Sequence, residues 1–328
     1  METLTEEQRR AVPEPEPGQA ATRRRPAAIA LLVAMRPPEW IKNLLVFAGL
    51  LFSQKLNQGP QVGEALITFV AFCAISSAGY LANDLRDAPL DRRHPEKRHR
   101  PIANGELSER LAGVAAVVLA AIAIGISFAW VSAGVAGLVA LYGVTTIAYS
   151  LILKRLVIID VMTIASLFIL RVVAGAVAVE AHASEWLLLC TAMLALFLGF
   201  TKRRQEAMEE QQAMPAASSD PPPGAAGSQM TRPVLEHYSL PFLDQMVAMV
   251  TAGAIMSYAI YAVNSPLIGS KMLATGPSVL YGIFRYLYLI YDRRDTRSTA
   301  AILTEDPGMV FAGLSWIGVA LVMLYVVD

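Results

Sequence analysis

The chain has 328 residues, 55% of them hydrophobic and 16% charged, with a mean hydropathy of +0.47. A soluble domain of that length needs far more polar surface, so a water-solvated fold is excluded and the solvent is a bilayer. The 27 Lys/Arg balance the 27 Asp/Glu, which excludes the bulk positive field that gathers nucleic acid and makes the placement of charge the informative quantity.

In chain order, residues 1 to about 26 hold "PEPEPGQAATRRRP", rich in Pro, Glu and Arg and without an apolar stretch of signal-peptide length; they read as a disordered tail. A membrane-spanning helix needs about 20 mostly apolar residues, because ~1.5 Å per residue must cover ~30 Å of hydrocarbon. Nine windows qualify: 40–55, 65–83, 110–130, 133–153, 157–179, 185–200, 242–263, 272–291 and 309–327. The first is the shortest, since "RPPEW" (36–40) breaks the run before it, and residues 27–35 fit a short interfacial helix. The expected fold is therefore an all-α integral membrane protein with nine transmembrane helices forming one domain over 27–328. Within it, the low-complexity stretch 214–229 ("MPAASSDPPPGAAGSQ") is a flexible insert. Cys73 and Cys190 fall in separate apolar runs and read as small hydrophobes rather than a disulfide or zinc pair.

Basic residues orient the windows. Lys and Arg favour cytoplasmic loops, and here they concentrate in alternate loops: seven up to Lys42, seven in 84–110, Lys154 and Arg155, four in 201–241 and three in 292–308. Lys55 and Lys271 fall in the opposite set, and Arg171 and Arg285 lie within windows. The N-terminus is thereby expected to be cytoplasmic, and the long polar loops share its side. The short outer loops carry few groups capable of chemistry, so a polar cavity should face the cytoplasm.

The densest charge is "NDLRDAPLDRRHPEKRHRPIANG" (83–105), with four acids, six Lys/Arg and two His directly after an apolar window. Asn83, Asp87 and Asp91 are spaced i, i+4, i+8, and Asp84 is an i, i+3 neighbour of Asp87, so a helix continued past residue 83 stacks their oxygens on one face. Such hard oxygen ligands suit Mg²⁺, which bridges a few carboxylates to substrate phosphates. Pro89 disfavours helix at Ala88 and marks a turn ahead of Asp91, leaving Asp91 the weakest of the four. The plainer reading is a solvated loop in which the acids pair with Arg86, Arg92 and Arg93. The basic half adds Lys97 and Arg100, which suit phosphate oxygens beyond what one Mg²⁺ neutralises, or else merely record topology and attraction to anionic lipid.

Other polar groups recur at the same membrane face. "RPPEWIKN" supplies Arg36 and Lys42, "YSLILKR" supplies Tyr149 and Lys154, and "FTKRRQE" supplies Lys202, Arg203 and Glu206. Lys42 and Lys154 also fit innocent snorkelling. Arg171 in "LFILRVVAG" lies mid-span, where a guanidinium needs a partner or a water-filled cavity. Arg285 in "GIFRYLYLIY" is nearer the inner end and divides evenly between an ion pair and substrate contact.

These segments together resemble the UbiA-type polyprenyl transferase superfamily, which shares an N-D-x-x-D-x-x-x-D motif and nine membrane helices. Within it the chain is most similar to the bacterial decaprenyl-phosphate phosphoribosyltransferases, through "NDLRDAPLD", "HPEKRHRPIANG", "DVMTIASLFILRVVAG", "KRRQE", "HYSLPFLDQM" and "RYLYLIY". The resemblance implies transfer of 5-phosphoribose from phosphoribosyl diphosphate to a polyprenyl phosphate, with Mg²⁺ as cofactor, a step towards cell-wall arabinan at the bacterial inner membrane. Prenylating members carry a second Asp-rich motif where this chain reads "TKRRQE", and a cationic cluster binds a further phosphate better than a second metal. The implied roles are metal ligation by Asn83, Asp84, Asp87 and Asp91, catalysis by Asp84, Asp87, Lys97 and Arg100, and substrate contact by Arg36, Lys42, Tyr149, Lys154, Arg171, Lys202, Arg203, Glu206 and Arg285. A prenyltransferase using an isoprenyl diphosphate is the rival enzyme, and a transporter the rival of another class. The latter predicts polar groups spread across the membrane rather than gathered at one face. A homo-oligomer is compatible with the sequence.

Overall fold

The computed structural model describes residues 25–94, 97–213, 237–264 and 269–326. The insert at 214–229 and nearly all of the N-terminal tail lie outside the described residues.

Every regular element among the described residues is helical. A short helix α1 (Ala27–Ala34) leads to Arg36, which takes a left-handed conformation (φ 56, ψ 61) ahead of Pro37 and Pro38. The two prolines cannot donate to a helical ladder, and the chain follows a 3-10 segment over Pro37–Val46 before one α-helical stretch, α2 (Phe47–Phe52). The longer helices follow: α3 (Gly59–Asp91), α4 (Glu109–Trp130), α5 (Ala133–Leu151), α6 (Ile159–Ala178), α7 (Glu185–Ala213) and α8 (Leu240–Val263). The chain closes with α9 (Gly276–Tyr291), α10 (Thr299–Glu305) and α11 (Pro307–Tyr325). Serines start several of them: Ser108, Ser132, Ser239 and Ser298 each accept a hydrogen bond from the backbone N–H three residues on, and Asp306 does the same for α11.

Seven helices among the described residues are long and apolar enough to cross a bilayer: α3 to α8 and α11. The window at 40–55 is instead the 3-10 segment with α2, and the window at 272–291 holds the 16-residue α9. The chain is thus an all-helical membrane protein.

Two helices outrun the hydrocarbon. At ~1.5 Å per residue, the 33 residues of α3 span about 50 Å and the 29 of α7 about 43 Å, so their polar ends stand beyond the ~30 Å apolar slab. The expected turn before Asp91 is corrected here: α3 continues through Pro89 to Asp91. Pro89 leaves the carbonyl of Leu85 without its ladder donor, and only two helical residues follow the proline, so the helix ends directly beyond it.

Among the described residues the interior holds four apolar clusters, two of them large. One joins α2 to α6 around Leu50, Phe72, Val135, Val139, Tyr142 and Leu167. The other joins α6 to α10 around Val161, Phe197, Leu243, Tyr286 and Ile302. Outside, α4 exposes Val117 and Phe128, α8 exposes Met249 and Met256, and α11 exposes Phe311 and Leu314. Apolar side chains on the outside and polar ones within is the arrangement a lipid solvent selects.

Candidate active site

Between the two large clusters lies a cavity of about 660 Å³, walled by α3, α5, α6, α7 and the 3-10 segment. The geometry of α3 explains one wall. Asn83, Asp87 and Asp91, one helical turn apart, all line it, while Asp84 points to the flank, 3% exposed, and accepts from Arg36 Nη2 at 2.7 Å and Arg100 Nη1 at 3.1 Å. Arg100 also reaches Asp91 Oδ2 at 2.7 Å. On the facing wall, Lys154 Nζ stands 3.1 Å from Asp87 Oδ2. All three carboxylates are thus neutralised by cations from other segments.

Arg36 is placed by strain and by contact. Its positive φ is uncommon for a non-glycine residue, and the conformation sets its guanidinium on Asp84 and 5.0 Å from the Tyr80 ring centroid. Lys42 donates to Glu39 on the same 3-10 segment.

On α7, Lys202 and Arg203 line the cavity. Arg203 is 1% exposed and donates from Nη1 to Glu206 Oε2 at 2.6 Å, with Nε 3.7 Å from the fully buried Asp160. Asp160 in turn accepts from the hydroxyl of Tyr238 at 2.8 Å, and that hydroxyl accepts from the backbone N–H of Ile158 at 2.6 Å, where the chain again has positive φ. At the far end of the cavity, Arg171 is 4% exposed and donates to Asn43 Oδ1, Leu167 O and the Tyr142 hydroxyl.

Of the residues singled out from sequence, Arg36, Lys42, Asn83, Asp87, Asp91, Lys97, Arg100, Tyr149, Lys154, Arg171, Lys202 and Arg203 share this one cavity. Asp84 and Glu206 sit behind the wall, each holding a lining arginine. Arg285 is elsewhere, in a two-pronged pair with Asp306 at 3.1 and 2.9 Å. Sequence reasoning passed over Glu39, Tyr80, Tyr142 and Thr146, which also line the cavity. The tyrosines and the threonine lie on apolar windows among residues that read as packing, with no spacing to set them apart.

Magnesium fits the donor set. Asn83, Asp87 and Asp91 offer oxygens only, and no three His, Cys, Asp or Glu side chains among the described residues converge as a closed metal cage. That suits an ion that keeps several waters and takes one or two carboxylates plus substrate phosphates.

The described residues thus form a helical membrane protein whose polar cavity is acidic on one helix and cationic on the others, a donor set chemically suited to phosphate groups. The UbiA prenyltransferase family matches residues 43–314, and the chain belongs to that family. It is a transferase similar to curated decaprenyl-phosphate phosphoribosyltransferases. It is 35% identical to the one from Corynebacterium glutamicum, over 71% of this chain and 67% of that protein. It is 31% identical to the one from Mycobacterium tuberculosis, over 70% and 72%. The one from Mycolicibacterium smegmatis is 38% identical over 54% and 56%. Among solved structures, a UbiA homolog from Archaeoglobus fulgidus bound to DMAPP and Mg²⁺ superposes with a TM-score of 0.67, covering 90% of this chain and 99% of that one at 17% identity, which establishes the shared fold.

Proposed function

We propose that the protein transfers 5-phosphoribose from phosphoribosyl diphosphate to a polyprenyl phosphate, releasing diphosphate. The observation that carries this reading is the cationic wall: where a second carboxylate cluster would hold another metal, α7 presents Lys202 and Arg203, which suit additional phosphate oxygens. The similarity to proteins named decaprenyl-phosphate phosphoribosyltransferases supports a phosphoribosyl group and a polyprenyl phosphate acceptor; the donor and a place in arabinan precursor synthesis are part of the proposal, as the motif resemblance implies.

In this reading Asn83 and Asp87, with Asp91, hold Mg²⁺, which supplies charge neutralisation for the diphosphate leaving group. Lys154 and Arg100, released in part from the acids they now neutralise, bind the diphosphate oxygens together with Lys97. Asp84 keeps Arg36 and Arg100 aimed at the cavity. The bond between C1 and the diphosphate oxygen breaks with oxocarbenium character as a lipid phosphate oxygen bonds to C1 from the opposite face, which gives inversion and a β-linked product. The attacking phosphate is already ionised near neutral pH, so no general base is needed. The proposed topology has nine membrane segments, counting the 3-10 segment with α2 and also α9, in the bacterial inner membrane, with the cavity open to the cytoplasm as the Lys/Arg distribution indicates.

Purified protein incubated with labelled phosphoribosyl diphosphate, a polyprenyl phosphate and Mg²⁺ should yield a labelled lipid. Labelling instead from an isoprenyl diphosphate would move the assignment to prenyl transfer.

A further inference from the structure

The cavity is charged at both ends, and the two ends differ. From Asp87 back to Ser76 on α3 is 11 residues, about 16 Å along the helix axis, and both line the cavity. Arg171 marks the deep end. Its Nε donates to Asn43 Oδ1 at 2.7 Å, Nη1 to Leu167 O at 2.8 Å and Nη2 to the Tyr142 hydroxyl at 2.7 Å. The guanidinium carbon lies 4.7 Å from the Tyr142 ring centroid and 5.3 Å from that of Phe168.

Every one of these partners is neutral. Arg36, Arg100, Arg203, Arg204 and Arg285 each have a carboxylate within ion-pair distance. Among the described residues no such pair involves Arg171, although at 4% exposure it is more buried than Arg36, Arg100 or Arg285. A cation this far inside a membrane protein is costly without an anion. These three bonds leave two of the five guanidinium N–H groups for a further acceptor, which is the number a phosphate engages in two-pronged fashion.

Resting on the phosphoribosyl reading above, we propose that the deep end is a phosphate-monoester subsite. Arg171, oriented by Asn43 and Tyr142, receives the 5-phosphate of the donor while the diphosphate sits at the Asp87 end. The same group makes the cavity hostile to an isoprenyl diphosphate, whose hydrocarbon would fill this depth and leave the guanidinium desolvated against an apolar chain. The donor class is therefore selected at the floor of the cavity as well as at its metal-binding mouth.

The test uses the full chain, purified with Mg²⁺, and calorimetric titration with ribose 5-phosphate, pyrophosphate, farnesyl phosphate and geranyl diphosphate. Arg171→Gln should weaken ribose 5-phosphate by about 10- to 100-fold, the range for hydrogen bonds to a charged group, while pyrophosphate and farnesyl phosphate change little and geranyl diphosphate binds more tightly. Tyr142→Phe, which keeps the ring and the charge, should raise the KM for phosphoribosyl diphosphate several-fold with kcat unchanged. It serves as the readout should the arginine variant fail to fold. Selective loss of farnesyl phosphate would assign the subsite to the acceptor and overturn the proposal. Parallel loss of all ligands, or of none, would also overturn it. Absence of any turnover of phosphoribosyl diphosphate by the unaltered protein would remove the underlying activity, whereas turnover that Arg171→Gln and Tyr142→Phe leave untouched removes only the subsite.

Discussion

Lys154 Nζ sits 3.1 Å from Oδ2 of Asp87, a partner 67 positions earlier in the chain, closing the polar mouth of the cavity between α3 and the turn after α5. Both side chains keep between a fifth and a quarter of their surface, so the pair is open to exchange: a divalent cation can take the carboxylate and leave the ammonium for a phosphate. Asp87→Ala should lower transfer by about 10²- to 10³-fold, the scale for removing one electrostatic contact to a developing charge, while membrane insertion and thermal unfolding stay near those of the parent. Chelation with EDTA should stop transfer and added Mg²⁺ restore it. Turnover that persists in either experiment counts against the metal role of Asp87.

Asp84 answers to a different force. It is buried against two guanidinium groups, and removing its charge leaves both cations facing each other. Breaking a fully buried pair costs about 3–5 kcal/mol. Arg36 and Arg100 retain 31% and 27% of their side-chain exposure, so solvent screening reduces the expected loss for Asp84→Asn to about 1–3 kcal/mol. Thermal unfolding in detergent measures it. Unlike Asp87→Ala, this variant should lose stability and activity together, and a fully stable Asp84→Asn protein would argue against the two-arginine clamp.

Gly175 decides whether the 3-10 segment can dock. A Cβ built there would stand 1.8 Å from Val46 O, and one at Gly49 2.6 Å from the backbone of Ala176. This close approach is what carries Asn43 to Arg171. Gly175→Ala should therefore destabilise by about 3 kcal/mol or more, beyond the usual range for overpacking because the clash is with backbone. Gly137→Ala meets nothing within 4 Å, and should be neutral or stabilising by up to ~1 kcal/mol as a helical Gly-to-Ala change. Equal unfolding temperatures for the two variants would contradict this account.

Acid should loosen the end of the chain between α9 and α11. Hydrogen bonding from Arg285 holds the Asp306 carboxyl below its ordinary value, against the opposing effect of burial, and the backbone N–H of Met309 adds to it. Asp295 is lowered in the same way, first by Arg297. Groups with a depressed folded-state pKa stabilise above the unfolded value of about 3.9, and that stabilisation is lost as the pH falls through the folded value. The difference in unfolding temperature between the parent and Asp306→Asn should be full at pH 6 and shrink below about pH 4. A constant difference down to pH 2 would rule out the linkage.

Much of the site was legible before any coordinates because charge in a membrane chain is conspicuous. Asn83, Asp87 and Asp91 stood out by helical spacing, and α3 does put them on one wall. Arg171 was visible as a cation inside an apolar run. Arg285 looked alike in sequence, yet its neighbour in space is Asp306, a carboxylate 21 residues on whose position no local pattern announces. Pro89 misled the reading of Asp91, since its penalty depends on how near the helix end it falls. Asp160 and Tyr238 show the same limit: the hydroxyl that donates to the buried carboxylate beside Arg203 comes from 78 residues further along the chain.

Composition and periodicity alone determined the solvent, the helical class and the residue types available to hold phosphate and metal. These follow from hydropathy and helical spacing, which are local properties. Which acids face the cavity and which arginines are paired with a carboxylate were decided only by the packing. Each depends on side chains brought within a few ångströms from segments far apart in the chain, through close approaches such as that of Gly175 to Val46.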